Sequence, residues 1–176
     1  LHAALTDLAY QKFALDQHAI VSITNLDGEI VYANDKLCEI SGYSRSELMS
    51  RNHRIINSGT HEPAFFTNLW QTIISGQVWR GEICNRNKLG ELYWVSATIV
   101  PLRDDTGKIS MYIAIRTDIT RLRKMEVSIK GAEARLRHIT NTVPGVVFQW
   151  HVASRDNYRF TFVSDRIWDT LGIKPE

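Results

Sequence analysis

The segment AIVSITNLDGEIVYAND, from Ala19 to Asp35, shows the period of two that β-strands produce. Apolar residues alternate with polar ones in AIVSIT and again in EIVYAN, and the turn-forming sequence NLDG, residues 25–28, stands between them. Two such runs joined by a short turn are typical of a β-hairpin. We therefore predict two antiparallel strands here, with Asn34 or Asp35 capping a short helix that follows.

Further helix signals lie on both sides of the hairpin. Four leucines within residues 1–15 form one helical stripe, which predicts a flanking helix over residues 1–16. After the hairpin, Ser44 and Glu47 form a capping-box pattern for a second short helix. Pro63 stands where a longer helix can begin, and apolar residues then recur at helical spacing until Gly76 ends the run.

Three more strand candidates follow this longer helix. They are VWRGEICNRN, ELYWVSATIVPL and KISMYIAIRTDI, and the turn-forming sequences KLG and DDTG separate them. With the hairpin they make five strands joined by short connections. We therefore predict an α+β domain over residues 17–120, with a five-stranded antiparallel sheet and helices packed on one face.

A heptad pattern follows residue 120. Apolar residues there are separated by 3, 4, 3, 4 and 3 positions, which is the spacing of a coiled-coil seam: Leu122, Met125, Ile129, Ala132, Leu136 and Ile139. We predict a helical connector over residues 121–141 that forms a parallel dimer seam or a rigid spacer. A surface helix lying on its own domain is the alternative.

The sequence Pro144-Gly145 breaks this helix, and the residues after it repeat the opening of the chain in outline. VVFQWHV, YRFTFVS and DRIWDTLGI follow the same order of strand, strand and short helix as AIVSIT, EIVYAN and DKLCEISGY. We therefore predict that residues 142–176 are the start of a second, truncated copy of the module.

The composition is that of a globular protein without a charge bias. The 176 residues are 44% hydrophobic and 23% charged, with a formal net charge of +2, which favours neither nucleic acid nor a membrane surface as a partner. Cys38 and Cys84 fall in no disulfide or metal-ligand pattern, and no apolar stretch reaches the length of a membrane span. We expect a cytoplasmic chain with no nucleic-acid partner and no membrane contact by this segment.

The sequence contains no catalytic motif. There is no GxSxG elbow, no phosphate-binding glycine loop and no HExxH helix. We therefore expect no enzyme activity from this segment. A histidine kinase, cyclase or transcriptional output would come from another part of a longer parent chain.

One region has the residue types that a flat ring ligand requires. It contains NHRIINSG, FFTNLWQTIISG and WRGEICNRNKLGELYW, within residues 52–94. A flavin ring has apolar faces and carries donors and acceptors along one edge, so its binder needs an aromatic wall and an amide that can both donate and accept. Trp70 and Asn85 supply these groups. On the residues alone, Trp70 could equally be a core residue and Asn85 could satisfy a strand edge.

The order of AIVSITNLDGEIVYAND, CEISGYS and IAIRTDIT resembles the PAS (Per-Arnt-Sim) sensor domain family over roughly residues 17–120. NHRIINSG, LW, WRGE and NR are similar to the flavin-binding branch of that family, which includes bacterial aerotaxis receptors and nitrogen-fixation regulators. The resemblance implies a PAS fold and a bound FAD, with Trp70 and Asn85 at the flavin ring. The further cofactor-binding residues that we predict are His53, Arg54, Trp79 and Asn34.

Two other chemistries at His53 are disfavoured. In haem-binding PAS domains the ligand histidine lies in the long helix, and residues 64–76 contain none. In flavin photoreceptors of the light-oxygen-voltage type, a cysteine stands at the position of His53, and imidazole cannot form their cysteinyl adduct. A water-exposed histidine at a helix start is the structural alternative for His53. We expect His61, His138 and His151 at the surface.

Together these features predict a cytoplasmic sensory module, of the kind found in two-component systems, that binds a flavin and reports redox state or oxygen to an output domain. It is expected to form a homodimer through its flanking helices. The alternative is a PAS module that holds no cofactor, or a small metabolite, and serves dimerisation and signal relay. The choice among FAD, FMN and no cofactor stays open at this point.

Overall fold

The structure is a computed structural model that describes residues 16–142, 144–154 and 157–164, together with Tyr10, Ile167 and Gly172. The chain divides into two compact units, Leu1–Arg123 and Lys124–Glu176. Residues 16–18 are helical. Nearly all of the predicted flanking helix over residues 1–16 lies outside the described residues, and so does most of the predicted helix DRIWDTLGI.

The predicted first hairpin is confirmed. Strand β1 (Ile20–Thr24) pairs antiparallel with β2 (Ile30–Ala33). The Asn25 side chain closes the turn, because its Oδ1 accepts from the backbone N–H groups of Asp27 and Glu29. Gly28 has a φ of +80°, which a residue with a Cβ adopts only under strain.

Three helices after the hairpin begin at the predicted caps, and a 3₁₀ helix that was not predicted begins after Asn52. They are α1 (Asp35–Ser41), α2 (Arg45–Leu48), a 3₁₀ helix (His53–Ile56) and α3 (Pro63–Ile74). The Asn34 side chain accepts from the Leu37 N–H at the start of α1, and Ser44 and Glu47 form the capping box of α2. Proline occupies the first turn of α3, where its missing N–H costs nothing.

Five antiparallel strands form one sheet in the order β2-β1-β5-β4-β3, which confirms the predicted α+β architecture. The three longer strands are β3 (Trp79–Arg86), β4 (Leu92–Arg103) and β5 (Ile109–Asp118). Apolar side chains of α3, such as Leu69 and Ile73, are buried in one core with Val95 and Ala97 of β4. The core therefore covers the inner face of β5, the middle strand of the sheet.

The outer edge of β3 is covered by residues 57–61. The backbone of Asn57 forms a bridge with that of Asn85, and Ser58 Oγ donates to the carbonyl oxygen of Cys84 at 2.6 Å. His61 Nε2 accepts from the Cys84 N–H at 2.8 Å. An edge strand with unpaired backbone groups would be open to further pairing, so this segment both closes the edge and holds Asn85 in place.

His61 does not lie at the surface as predicted. Its ring stacks on Phe65 with centroids 4.1 Å apart and meets Trp94 edge to face at 5.7 Å. Burial lowers the pKa of the imidazole, which favours the neutral ring that can accept from Cys84. The two other histidines that we expected at the surface, His138 and His151, are exposed.

Helix α4 (Thr120–Thr142) corresponds to the predicted connector. The large apolar members of its heptad seam are exposed: Leu122, Met125, Ile129, Leu136 and Ile139. In the second unit, β6 (Phe148–Ser154) pairs antiparallel with β7 (Asn157–Val163), while the assignment of residues 142–176 to a second copy of the module stays a prediction. No helix within the described part of the chain is long and apolar enough to cross a membrane.

Candidate functional site

A cavity of about 310 Å³ lies between α3, the 3₁₀ helix and the inner face of the sheet. Its apolar wall consists of Phe66, Leu69, Trp70, Ile73, Ile83, Ile99, Tyr112 and Ala114. The other lining residues are Thr24, Gly28, Asn52, His53, Arg54, Asn57, Asn85 and Arg116. A mostly apolar wall with a few convergent polar groups is the usual composition of a small-molecule site.

Trp70 closes the cavity on the side of the first hairpin. A Cβ added to Gly28 would lie 3.1 Å from Trp70 Cη2, so the indole rests directly on the backbone of the turn. The indole also meets the ring of Tyr112 edge to face, with centroids 5.9 Å apart. Glycine at residue 28 therefore both allows the turn and leaves room for the Trp70 indole.

Asn85 places a carboxamide on the opposite, strand side of the cavity. It is 5% exposed, and its backbone is held between Asn57 and Tyr93 in the sheet. Within the described residues its side-chain amide makes no hydrogen bond. Because Asn85 lines the cavity, its amide retains both its donor and its acceptor capacity for a molecule bound there.

His53 and Arg116 form a hydrogen-bonded pair at the polar end of the cavity. Arg116 Nη2 lies 2.9 Å from His53 Nε2, and Arg116 Nη1 donates to Ser22 Oγ at 3.0 Å. A guanidinium has only donors, so Nε2 accepts and the imidazole carries its proton on Nδ1. Burial and the neighbouring Arg116 cation lower the pKa of His53 to about 3. His53 is therefore a neutral, partly buried residue that lines the cavity rather than a water-exposed one.

Arg54 lies at the mouth of the cavity and is exposed. Its Nε donates to Asn52 Oδ1 at 2.9 Å, and the same oxygen accepts from the Arg54 backbone N–H. Asn52 Nδ2 donates to the carbonyl oxygen of Asp27. The Asn52 side chain is thus used by the fold, while the terminal nitrogens of Arg54 remain available to a charged group outside the cavity.

Asn34 and Trp79, which were predicted to bind the cofactor, do not line the cavity. Asn34 is 2% exposed, and its amide bonds the backbones of Val21, Ala19 and Leu37. The Trp79 indole lies over Gly81, where a Cβ would come within 2.5 Å, and its Nε1 donates to a side chain of α3. Both residues therefore support the frame around the cavity.

Neither cysteine lines the cavity. Cys84 is fully buried on β3, between the two cavity-lining residues Ile83 and Asn85. Because side chains alternate along a strand, its thiol points to the other face of the sheet. Cys38 is partly buried on α1. Among the described residues there is also no group of three or more His, Cys, Asp or Glu that could hold a metal ion.

Sequence reasoning missed Arg116 and Tyr112 as site residues. Tyr112, Ala114 and Arg116 follow one another at every second position of β5, and all three line the cavity. The signal was therefore present in IAIRTD, where a charged residue continues the inward phase of an alternating strand. A charge at such a position indicates a site or a buried pair rather than a solvated face.

Comparison with known proteins agrees with this architecture. A family model described as PAS domain matches residues 17–121. The nitrogen fixation regulatory protein of Klebsiella oxytoca is 29% identical over 127 residues, which are 72% of this chain and 26% of that protein. The aerotaxis receptor of Escherichia coli K12 is 38% identical over 105 residues, 60% of this chain and 21% of the receptor. The chain thus spans about a quarter of the length of these relatives.

Among solved structures, a light-oxygen-voltage domain studied with a flavin analogue has the same fold. Its TM-score is 0.58 at 22% sequence identity, and the similarity covers 71% of this chain and 93% of that chain. The family model covers more than half of the present chain. The chain belongs to the PAS domain family.

Proposed function

We propose that this chain is the flavin-binding sensory part of a larger signalling protein, and that it reports redox state or oxygen to an output domain. The observation that carries this proposal is the free carboxamide of Asn85 in a cavity whose remaining wall is largely apolar. The two relatives named above are a regulator and a receptor, and the similar light-oxygen-voltage domain was studied with a flavin analogue.

The cavity fits a flat ring that is apolar on its faces and polar along one edge. Trp70 and Tyr112 supply aromatic surface, and Leu69, Ile73 and Ile99 supply aliphatic surface. Three asparagines line the cavity, but Asn52 and the Asn57 oxygen bond other groups of the protein, so Asn85 is the amide that can meet both a donor and an acceptor of a ring edge. The volume suits a ring system, and the rest of a flavin nucleotide would extend through the mouth.

Arg54 is then placed to bind the phosphate of such a nucleotide. It is exposed at the mouth, and its Nε bond to Asn52 fixes the direction of the guanidinium. Arginine forms strong charge-assisted bonds with phosphate oxygens. Whether the nucleotide is FAD or FMN depends on groups outside the cavity, and we propose FAD on the similarity to the aerotaxis and nitrogen-fixation branch.

When bound, a flavin supplies reversible uptake of electrons and protons. The protein's part is to sense the resulting change of donors and acceptors along the ring edge. The Asn85 carboxamide can rotate and exchange its oxygen for its nitrogen, because no bond within the described residues holds it in one orientation. Such a rotation would be felt on β3, whose ladder joins Asn85 to Tyr93 of β4.

The test is the cofactor content of the purified protein. We expect a yellow protein with near-stoichiometric flavin by absorbance, and loss of most of this flavin in Trp70→Ala and in Asn85→Asp. Trp150→Ala is the matched control, because Trp150 is an exposed aromatic residue on β6. Far-ultraviolet circular dichroism checks that each variant is folded. A colourless wild type, or full flavin content in both site variants, would contradict the proposal and favour a cofactor-free relay module.

A further inference from the structure

Arg116 is a buried cation on the wall of the cavity. It is 4% exposed on β5, the central strand of the sheet. Two of its nitrogens bond Ser22 and His53, while its buried Nε has no hydrogen-bond partner in the described part of the chain. Burial lowers its pKa to about 10, so the side chain is still positively charged near neutral pH.

The charge of Arg116 is not balanced by an ion pair within the part of the chain that the structure describes. Ser22 and His53 are neutral partners. The nearby Tyr93 hydroxyl is buried without a partner, and burial raises its pKa, which keeps it protonated. The described residues that interact with Arg116 thus satisfy some of its hydrogen-bond donors but do not neutralise its charge.

A purely structural role at this position would not require a charged side chain. A neutral side chain could bond Ser22 and His53, whereas an unpaired buried charge is strongly unfavourable. Because Arg116 lines the cavity, a ligand bound there could compensate its charge. The unpartnered Nε is a strong directional donor for an electron-rich atom.

We propose that Arg116 is the residue that makes this cavity prefer an anionic ring, so that it binds the reduced flavin more tightly than the oxidised flavin. The inference rests on the proposed flavin function and adds to it the direction of redox tuning. Two-electron reduction by an external low-potential donor, such as dithionite, adds two electrons and one proton from water at N5. N1 would then remain unprotonated, and the ring would carry one negative charge that Arg116 could compensate.

The experiment measures the midpoint potential of the bound flavin in the wild type, Arg116→Gln and Arg116→Lys. We expect Arg116→Gln to weaken the preference for the reduced state at least about tenfold, which lowers a two-electron potential by about 30 mV. Arg116→Lys retains the charge and should retain most of the preference. Arg80→Gln is the matched control, because Arg80 is an exposed arginine of β3 and does not line the cavity.

The outcomes separate this inference from the proposed function. A wild type without flavin would overturn both. Full flavin content with an unchanged potential in Arg116→Gln would overturn only the role of Arg116. If Arg116→Gln loses its flavin, its potential cannot be measured, and nuclear magnetic resonance of the wild type provides the test instead. The readout is the N–H resonance of Arg116 Nε, which is assigned because it is absent from the spectrum of Arg116→Lys. This resonance should shift when dithionite reduces the flavin, and an identical resonance in both states would refute the inference.

Discussion

At the scale of single residues, His53 couples the cavity to pH. Its Nε2 accepts from the Arg116 cation, and protonation would place two positive charges side by side. Its pKa falls from 6.5 to about 3 in the folded protein. Between these two values the unfolded chain binds more protons at this side chain than the folded chain. The free energy of unfolding therefore decreases as the pH falls through this range.

We expect the His53 side chain to remove about 1–2 kcal/mol from the free energy of unfolding between about pH 7 and about pH 5. Urea unfolding of the wild type and of His53→Gln measures this loss, because the glutamine oxygen can still accept from Arg116 but does not titrate. The wild type should lose more stability on acidification than the variant. His138→Gln, at an exposed position, should follow the wild type. Parallel pH profiles for wild type and His53→Gln would contradict the prediction.

Local patterns in the sequence predicted the caps but not the partners of individual side chains. The capping box of Ser44 and Glu47 could be predicted because the donor and acceptor of each of its hydrogen bonds lie within one turn of helix. Trp79 was predicted to bind the cofactor because tryptophan suits the wall of a site for a flat ring. Its indole instead packs over Gly81, where the missing Cβ leaves room for it. The alternation of β5 indicates that Arg116 faces inward, but its pairing with His53, 63 residues distant in sequence, could not be predicted. Such contacts follow from the register of the sheet, which periodicity alone does not specify.

Among the structural elements, the edge strand β3 is held in part by one imidazole. His61 precedes α3 and accepts from the Cys84 N–H, while its ring stacks on Phe65. These contacts tie the segment before α3 to the strand that carries Asn85. The strands and α3 were predictable because each has its own period. The hydrogen bond from Cys84 to His61 was not predictable, because a single histidine before a helix belongs to no periodic pattern.

We expect His61→Leu to lower the free energy of unfolding by about 1–2 kcal/mol, because it leaves a strand N–H without an acceptor. His61→Gln should recover part of this loss through its side-chain oxygen. Chemical denaturation measures both values, with His138→Leu on the exposed face of α4 as the control, for which we expect a change within about 0.5 kcal/mol. Equal stability of His61→Leu and the wild type would show that water or another group replaces the imidazole.

At the scale of the whole molecule, the first turn of α4 is fastened to the strands around the site. Thr120 Oγ1 accepts from the Trp94 N–H at 2.9 Å, and Arg123 pairs with Glu82 of β3. The Arg123 guanidinium also lies 5.2 Å from the centroid of the Trp94 ring. Glu82 stands three residues before Asn85, so a shift of β3 at the cavity reaches α4 through direct contacts.

The same contacts change the charge balance of the predicted dimer seam. From the sequence, Arg121, Arg123 and Lys124 together would repel a second helix at low salt. In the structure Arg123 is engaged by Glu82, which reduces this repulsion. The exposed apolar seam spans about three heptads, a length at which helices are marginally stable alone and can form a weak parallel pair. We therefore propose a homodimer through α4 whose packing can shift with the redox state.

A hydrogen-bond change at Asn85 is worth on the order of 1 kcal/mol, which shifts a two-state equilibrium several-fold without unfolding either state. We therefore expect spin labels at Ser128, an exposed position on α4, to give different distance distributions between two chains in oxidised and reduced samples. Glu82→Gln should reduce this difference while leaving the flavin bound, because it releases Arg123 from β3. Arg80→Gln, a charge change on the same strand, should leave it intact. Identical distributions in the two redox states, or a monomer in both, would leave α4 as a passive spacer.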